Sequence, residues 1–281
     1  VIACHGLNDG VCQWRTGLAR LLPVLSMVLV TAAAIAAEHH VPVSAVPRPS
    51  IALIIDDLGN QRASGMHVID LPGPVACAFL PYAHFTRLLA NRAYASGKEV
   101  MLHLPMQSVT PEQPDLGELL LDMTHQQFNR TLTAELAVVP HVSGINNHRG
   151  SLITRHPGHM AWLMQAIRKH GELFFVDSRT TAATVARRIA EEFHIPNTER
   201  NVFLDHDRHP DAIQAEFRRL IRIAQRDGAA LGIGHPHPET LELLKRQLSR
   251  LDDYNVQIVS VNRLIEIEAG SKQRWQMYSS H

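Results

Sequence analysis

Cysteine is scarce and the charges cancel. The 281 residues hold three cysteines, and two of them, Cys4 and Cys12, lie at the N-terminus ahead of an apolar run. Cys77 alone remains beyond that run, so the rest of the chain has no partner for an internal disulfide and relies on a packed core. Its place in the apolar stretch Val75–Leu80 marks it as a buried, inert thiol. Lys+Arg and Asp+Glu number 27 each, which excludes the basic footprint of a nucleic-acid-binding protein. A P-loop and a G-x-S-x-G nucleophile elbow are both missing. Aromatic residues are only 5%, and the 18 histidines outnumber them. Imidazole is the commonest metal ligand and acid–base group, so that excess is a first hint of chemistry. Hydrophobic residues at 45% and charged residues at 19% exclude global disorder.

The N-terminal part reads as a targeting segment. Arg15 and Arg20 precede the uncharged stretch Leu21–Ala37, which closes on Ala34-Ile35-Ala36. A basic region, an apolar region and a small-residue cleavage site make an export signal over residues 1–37, with an uncleaved membrane anchor or a buried helix as alternatives. Pro23, Ser26 and Thr31 weaken the anchor, since a spanning helix needs about 20 apolar residues. The expected location is the periplasm or cell envelope. Pro42, Pro47 and Pro49 mark residues 38–50 as a linker. A single domain over 51–268 and a frayed polar tail over 269–281 complete the division.

Within the domain, short apolar runs alternate with amphipathic segments. Strands are expected at Ile51–Ile55, Val75–Leu80, Glu99–His103, Leu173–Val176, Val202–Leu204, Ala229–Ile233 and Val256–Val259. Helices are expected at Gln61–Asp70, His84–Ser96, Thr124–Val139, Gly158–His170, Thr181–Phe193, Asp211–Asp227 and Glu239–Leu251, with a loop at Pro105–Pro114. Fully apolar strands alternating with helices argue for an α/β fold with a parallel sheet covered by helices.

Titratable residues cluster where those strands end. The runs deliver Asp56 and Asp57, then His103, His148, Asp177 with Arg179, Asp205, and finally His235 with His237. In parallel α/β folds the C-terminal strand ends share one face, where sites form. Each residue also has a plainer reading. Asp56-Asp57 is a possible helix cap, though a turn at Gly59 lets both carboxylates approach one centre. His103 suits a core residue, His148 an exposed loop, Asp177 a helix cap, and Asp205–His209 a solvated turn. His237 either positions substrate or begins a helix. Asp57 with two imidazoles makes a three-ligand site with an open position, as catalytic Zn²⁺ prefers; Co²⁺, Ni²⁺ or Mn²⁺ would suit it too.

Six separated motifs carry a family resemblance. They are Ile54-Ile55-Asp56-Asp57-Leu58-Gly59, Met101-Leu102-His103-Leu104-Pro105-Met106, Asn147-His148-x-Gly150-Ser151, Phe175-x-Asp177-Ser178-Arg179-Thr180, Val202-Phe203-Leu204-Asp205 and Gly232-Ile233-Gly234-His235-Pro236-His237-Pro238-Glu239-Thr240. Together, over about Ile51 to Leu264, they resemble the divergent polysaccharide deacetylase family, an exported branch of the NodB-homology superfamily. The resemblance implies a distorted (β/α) barrel and metal-dependent removal of acetyl groups from a polysaccharide or peptidoglycan-type glycan. It maps the general base onto Asp56 and a metal ligand onto Asp57, with His103 as the first metal histidine. The position four residues on, a second histidine in the main families, is Gln107 here, and the third ligand is assigned to His148. Arg149 stands where this branch carries an apolar residue. His235 is the expected acid, Asp177 an orienting group and Arg179 a glycan contact, with Asp205 and His237 grouped beside them as substrate-binding or orienting residues. The missing histidine pair keeps a catalytically weak glycan-binding or scaffold protein as the alternative. A phosphoesterase is disfavoured, because a two-metal site needs more carboxylates.

Overall fold

Alternate residues of each strand decide what the sheet encloses. In this computed structural model, which describes residues 48–110 and 113–279, eight parallel strands run in the order β6-β5-β4-β3-β2-β1-β8-β7. They are β1 (Ser50–Leu58), β2 (Ala76–Phe79), β3 (Val100–Met106), β4 (Val142–Arg149), β5 (Phe174–Asp177), β6 (Asn197–Glu199), β7 (Val202–Phe203) and β8 (Ala229–Gly234). A short β9 (Gln257–Ile258) pairs with the start of β1. The helices between them are α1 (Arg62–Ile69), α2 (Thr86–Ala95), α3 (His125–Val138), α4 (Pro157–His170), α5 (Ala186–Glu192), α6 (Pro210–Asp227) and α7 (Pro238–Leu248), followed by α8 (Val261–Ser279). The sheet is the curled, parallel α/β wall expected from the sequence. The expected export signal and most of the expected linker lie outside the described residues, and Val46–His281 forms one unit.

The wall closes through one short segment. β6 pairs with β5, and β7, three residues further on, pairs with β8 at the other edge. Between them the Arg200 N–H donates to the Asp177 carbonyl, while the Asn201 N–H donates to the Leu231 carbonyl. Residues 197–203 therefore act as a single strand handed from one edge of the sheet to the other.

Two cores follow from strand parity. Ile51, Leu53 and Ile55 pack outward against the helices. Ala52, Ile54, Ala76, Ala78, Met101, Phe174, Val176, Leu231 and Ile233 fill the lumen, whose far end is closed by Val261, Leu264 and Ile265 of α8. The lumen is narrow: a Cβ on Gly144 would lie 2.2 Å from the Phe174 ring, so only glycine fits there. Glu99 anchors the plug, its two oxygens accepting the Val261 and Asn262 N–H groups at the start of α8.

Helix ends match their chemistry. Thr124 and Gln127 form a reciprocal capping box on α3. Pro210 opens α6, and Gly228, at φ 87°, closes it. Several boundaries differ from expectation. β3 runs through Pro105, whose carbonyl accepts from Leu119 N–H rather than from β4, so its missing donor costs no ladder bond. α5 begins only at Ala186, because residues 181–184 are spent on a loop held by Asp177. α8 continues to Ser279, across the boundary expected at Glu268.

Candidate active site

The lumen series of four strands end in polar groups. Continuing Ala52 and Ile54 on β1 gives Asp56; continuing Met101 on β3 gives His103; Leu231 and Ile233 on β8 lead to His235. On β4, Asn146 is in register with His103 and His148 with Pro105, so both point the same way as His103. His148 is thus a strand residue and not part of an exposed loop.

Asp57 breaks the parity. Three steps on β1, from Ile55 to Leu58, match two on β2, from Cys77 to Phe79, so one extra residue is inserted. Asp57 takes it up with φ 58° in the left-handed region. Aspartate tolerates that conformation better than most residues, and the bulge turns a second carboxylate toward the same centre. The bulge itself, ahead of Gly59, is the device that brings the two carboxylates together.

Asp57 Oδ1 stands 3.3 Å from His103 Nε2 and 3.0 Å from His148 Nδ1. Those two nitrogens are 3.1 Å apart. The oxygen is buried yet makes no hydrogen bond of good geometry. Burial opposes its charge, but the two imidazoles outweigh that and hold the Asp57 carboxyl well below the usual carboxylate range. An anionic oxygen facing two imidazole nitrogens, all within 4.8 Å, fits a divalent cation. The outer partners fit as well: His103 Nδ1 donates to Asn146 Oδ1 at 3.0 Å, leaving Nε2 free, and His148 Nε2 is 3.3 Å from Asp115 Oδ2. Gln107 has another task, since its Oε1 accepts the Leu121 N–H.

Asp56 and His235 flank this triad. Asp56 is buried; its Oδ1 accepts from Asn146 Nδ2 at 2.8 Å and its Oδ2 lies 3.6 Å from His103 Nε2. Burial raises its pKa, and His103, His235 and the Asn146 bond recover only part of that. His235 Nδ1 meets Asp205 Oδ1 at 2.9 Å, so Nε2 points inward, 3.8 Å from Asp57 Oδ2. Burial works against protonating His235, and the Asp205 hydrogen bond and charge overcome it, leaving the pKa raised. Asp205 is itself buried, and its Oδ2 accepts from the His235 N–H and the Thr240 hydroxyl. It is the buried start of an otherwise exposed 206–209 turn. Asp205, His235 and His237 also bring three donor atoms together, but both Asp205 oxygens are engaged in this way.

Asp177 goes elsewhere. Val176, its lumen-facing neighbour, is in register with Asn146, so Asp177 turns outward. Its oxygens accept from the Arg179 N–H and the Thr184 hydroxyl, and it holds that loop instead of a histidine. Burial raises its pKa. Arg179 and Arg149 line the cavity of about 300 Å³ that holds Asp56, His103 and His235. His237 begins α7, half-buried beside His235.

Three partners were not singled out by the sequence reading: Asn146, which ties Asp56 to His103; Asp115, behind His148; and Arg200, which lines the same cavity. A polar Asn146 at a lumen-facing strand position was the one available signal.

Residues 53–265 match the family described as divergent polysaccharide deacetylase. The chain belongs to that family. An uncharacterized protein of Haemophilus influenzae is 34% identical to it over 215 residues, 76% of each chain. The uncharacterized protein YibQ of Escherichia coli is 34% identical over 201 residues, 72% of this chain and 63% of the relative. The crystal structure of uncharacterized protein ATU2773 from Agrobacterium tumefaciens C58 shares the fold, with TM-score 0.75 and 22% identity over 79% of this chain and 92% of that one. Among the described residues, no helix is long and apolar enough to cross a membrane.

Proposed function

We propose that the protein is a metal-dependent hydrolase that removes acetyl groups from a cell-envelope polysaccharide. The supporting observation is that Asp56 and His235, each oriented by its own buried partner, flank the Asp57–His103–His148 triad and line one cavity with His103. A divalent ion held by that triad, Zn²⁺ first among Co²⁺, Ni²⁺ and Mn²⁺, would polarise the acetyl carbonyl and lower the pKa of a water. Asp56 takes the proton of the attacking water on Oδ2, because Asn146 occupies Oδ1. Its raised pKa brings it toward the working range of a base. His235 carries the proton for the leaving nitrogen or oxygen on Nε2, since Asp205 fixes Nδ1. The carbon–nitrogen or carbon–oxygen bond of the acetyl group breaks, releasing acetate and an amine or alcohol. Arg179 and His237 contact the glycan, and Asp177 positions the Arg179 loop. Export to the periplasm or cell envelope belongs to this reading and rests on Leu21–Ala37.

The family and the acid–base pair support hydrolysis. Gln107, in place of a further histidine, supports a second reading: a glycan-binding or scaffold protein with little catalysis. Acetate release from acetylated oligosaccharides by the metal-loaded chain, beside Asp56→Asn, separates the two. The hydrolase reading expects release in wild type and a loss of about a hundredfold or more in the variant. Full activity in Asp56→Asn overturns the mechanism, and glycan binding without release favours the second reading.

A further inference from the structure

A second cavity, of about 640 Å³, opens beside the first. Arg179, Arg200, Phe203 and His206 line both, so the two form one cleft. The far wall is α6, where Ala212 and Ala215 leave room and Arg219 reaches the opening. The hydrolytic steps use none of this space, yet its size is ordinary for a ligand site.

Three guanidinium groups line it: Arg179, Arg200 and Arg219. Arg200 is the informative one. Its Nε donates to the Ser178 carbonyl at 2.6 Å and its Nη2 to the Arg179 carbonyl at 2.8 Å, and it lies 4.8 Å over the Phe203 ring. These contacts aim the group without cancelling its charge. Among the described residues no carboxylate stands within salt-bridge distance of Arg200, although it is half-buried and has Arg179 and Arg219 as like-charged neighbours. Burial and then Arg179 lower its pKa, Asp56 and Asp177 recover only part of that, and Arg219 adds the smallest lowering. Arg179 sits at φ 48°, and its nearest carboxylate, Glu199, is 3.5 Å away and closer to Arg187. Arg219 pairs with Glu216 at 3.1 Å on an exposed face, and Asp207 also lines the cavity. The inner half of the cleft therefore holds one guanidinium with no carboxylate at salt-bridge distance beside a second that shares its carboxylate with Arg187, an arrangement that favours a visiting anion.

We propose that the glycan carries an oxyanion, a carboxylate or a phosphate, on the sugar next to the one that is deacetylated, and that Arg179, Arg200 and Arg219 receive it. This rests on the deacetylase reading of the adjoining cavity. Guanidinium groups match both anions through paired N–H donors.

The test uses the full, metal-loaded chain and three acetylated oligosaccharides of equal length: one neutral, one bearing uronic acid carboxylates, one bearing phosphate. Calorimetry reads binding, and acetate release reads turnover. One anionic ligand is expected to bind about tenfold tighter than the neutral one, and the tighter of the two identifies the anion. High salt and either Arg179→Gln or Arg219→Gln shrink that preference, whereas Arg246→Gln, a charge removed from the surface of α7, leaves it in place. Equal binding of all three ligands overturns the proposal, as does a preference that Arg246→Gln reduces as much. Acetate released equally well from all three, without a binding preference, sinks the anion site and leaves the deacetylase standing. A preference in binding with no acetate released from any ligand keeps the anion site and sinks the deacetylase.

Discussion

Asp205 grips His235 at two points: its carboxylate accepts from the ring Nδ1 at 2.9 Å and from the backbone N–H at 2.7 Å. One buried side chain thus fixes the position, rotamer and tautomer of the imidazole that faces the Asp57–His103–His148 triad. The Thr240 hydroxyl completes the anchor at 2.8 Å.

Asp205→Asn removes the charge and keeps the shape. In the proposed mechanism His235 serves as an acid in its protonated form, so activity falls as pH rises through its pKa. Asp205 raises that pKa, so the variant's alkaline limb moves to lower pH, and the rate at the optimum drops about tenfold or more. The pH–rate profile of acetate release checks this; an unmoved alkaline limb contradicts it.

Asn146 makes a different prediction. It donates to Asp56 and accepts from His103, so Asn146→Ala frees a base and a metal ligand together. Metal affinity is expected to fall roughly 10- to 100-fold. Asp115→Asn, behind only His148 and part-exposed, is expected to cost less. Competition with a coloured chelator ranks the two, and the reverse order would contradict the assignment.

Glu135 on α3 is buried, and neither of its oxygens has a hydrogen-bond partner. Burial pushes its carboxyl up to about 9 from 4.5. The folded state keeps it protonated where the unfolded chain ionises. Its contribution to stability is therefore whole below about pH 4.5 and lost as pH rises toward 9. Glu135→Gln, neutral throughout, is expected to gain on wild type as pH rises, by on the order of a few kcal/mol at pH 8. Thermal melts at pH 5 and pH 8 read the difference; an equal gap at both would contradict the burial argument.

Gly144→Ala tests the lumen. The added Cβ would meet the Phe174 ring at 2.2 Å, just below Asn146 and His103. Overpacking of this kind costs about 1–3 kcal/mol, which urea unfolding will register. An unchanged midpoint would mean that the lumen has slack.

Much of this was legible in the chain because parity is legible. Ile51–Ile55 and Ala229–Ile233 are fully apolar, and the polar residues after them mark the strand ends. Asp56, His103, His148 and His235 could be gathered on that basis. The bulge at Asp57 was not readable, since nothing local distinguishes an aspartate at φ 58° from one in an ordinary strand. Asp177 reads like Asp205, as both follow an apolar run; a register one residue apart sends the first to a loop and the second to a histidine. Asp115 reaches the site from a loop, where sequence carries no periodicity, and Arg200 from the junction of two strands too short to show one. The extension of α8 past Glu268 is hidden by its polar composition.

The central claim is the division of labour between adjacent aspartates: Asp57 holds the metal and Asp56 moves the proton. Metal content and acetate release measured together on wild type, Asp57→Ala, His148→Ala and Asp56→Asn test it most directly. The account predicts about one equivalent of metal in wild type and in Asp56→Asn, little in the other two, and turnover in wild type alone. Wild type that takes up no metal on reconstitution, or Asp56→Asn that loses metal as fully as Asp57→Ala, would contradict it.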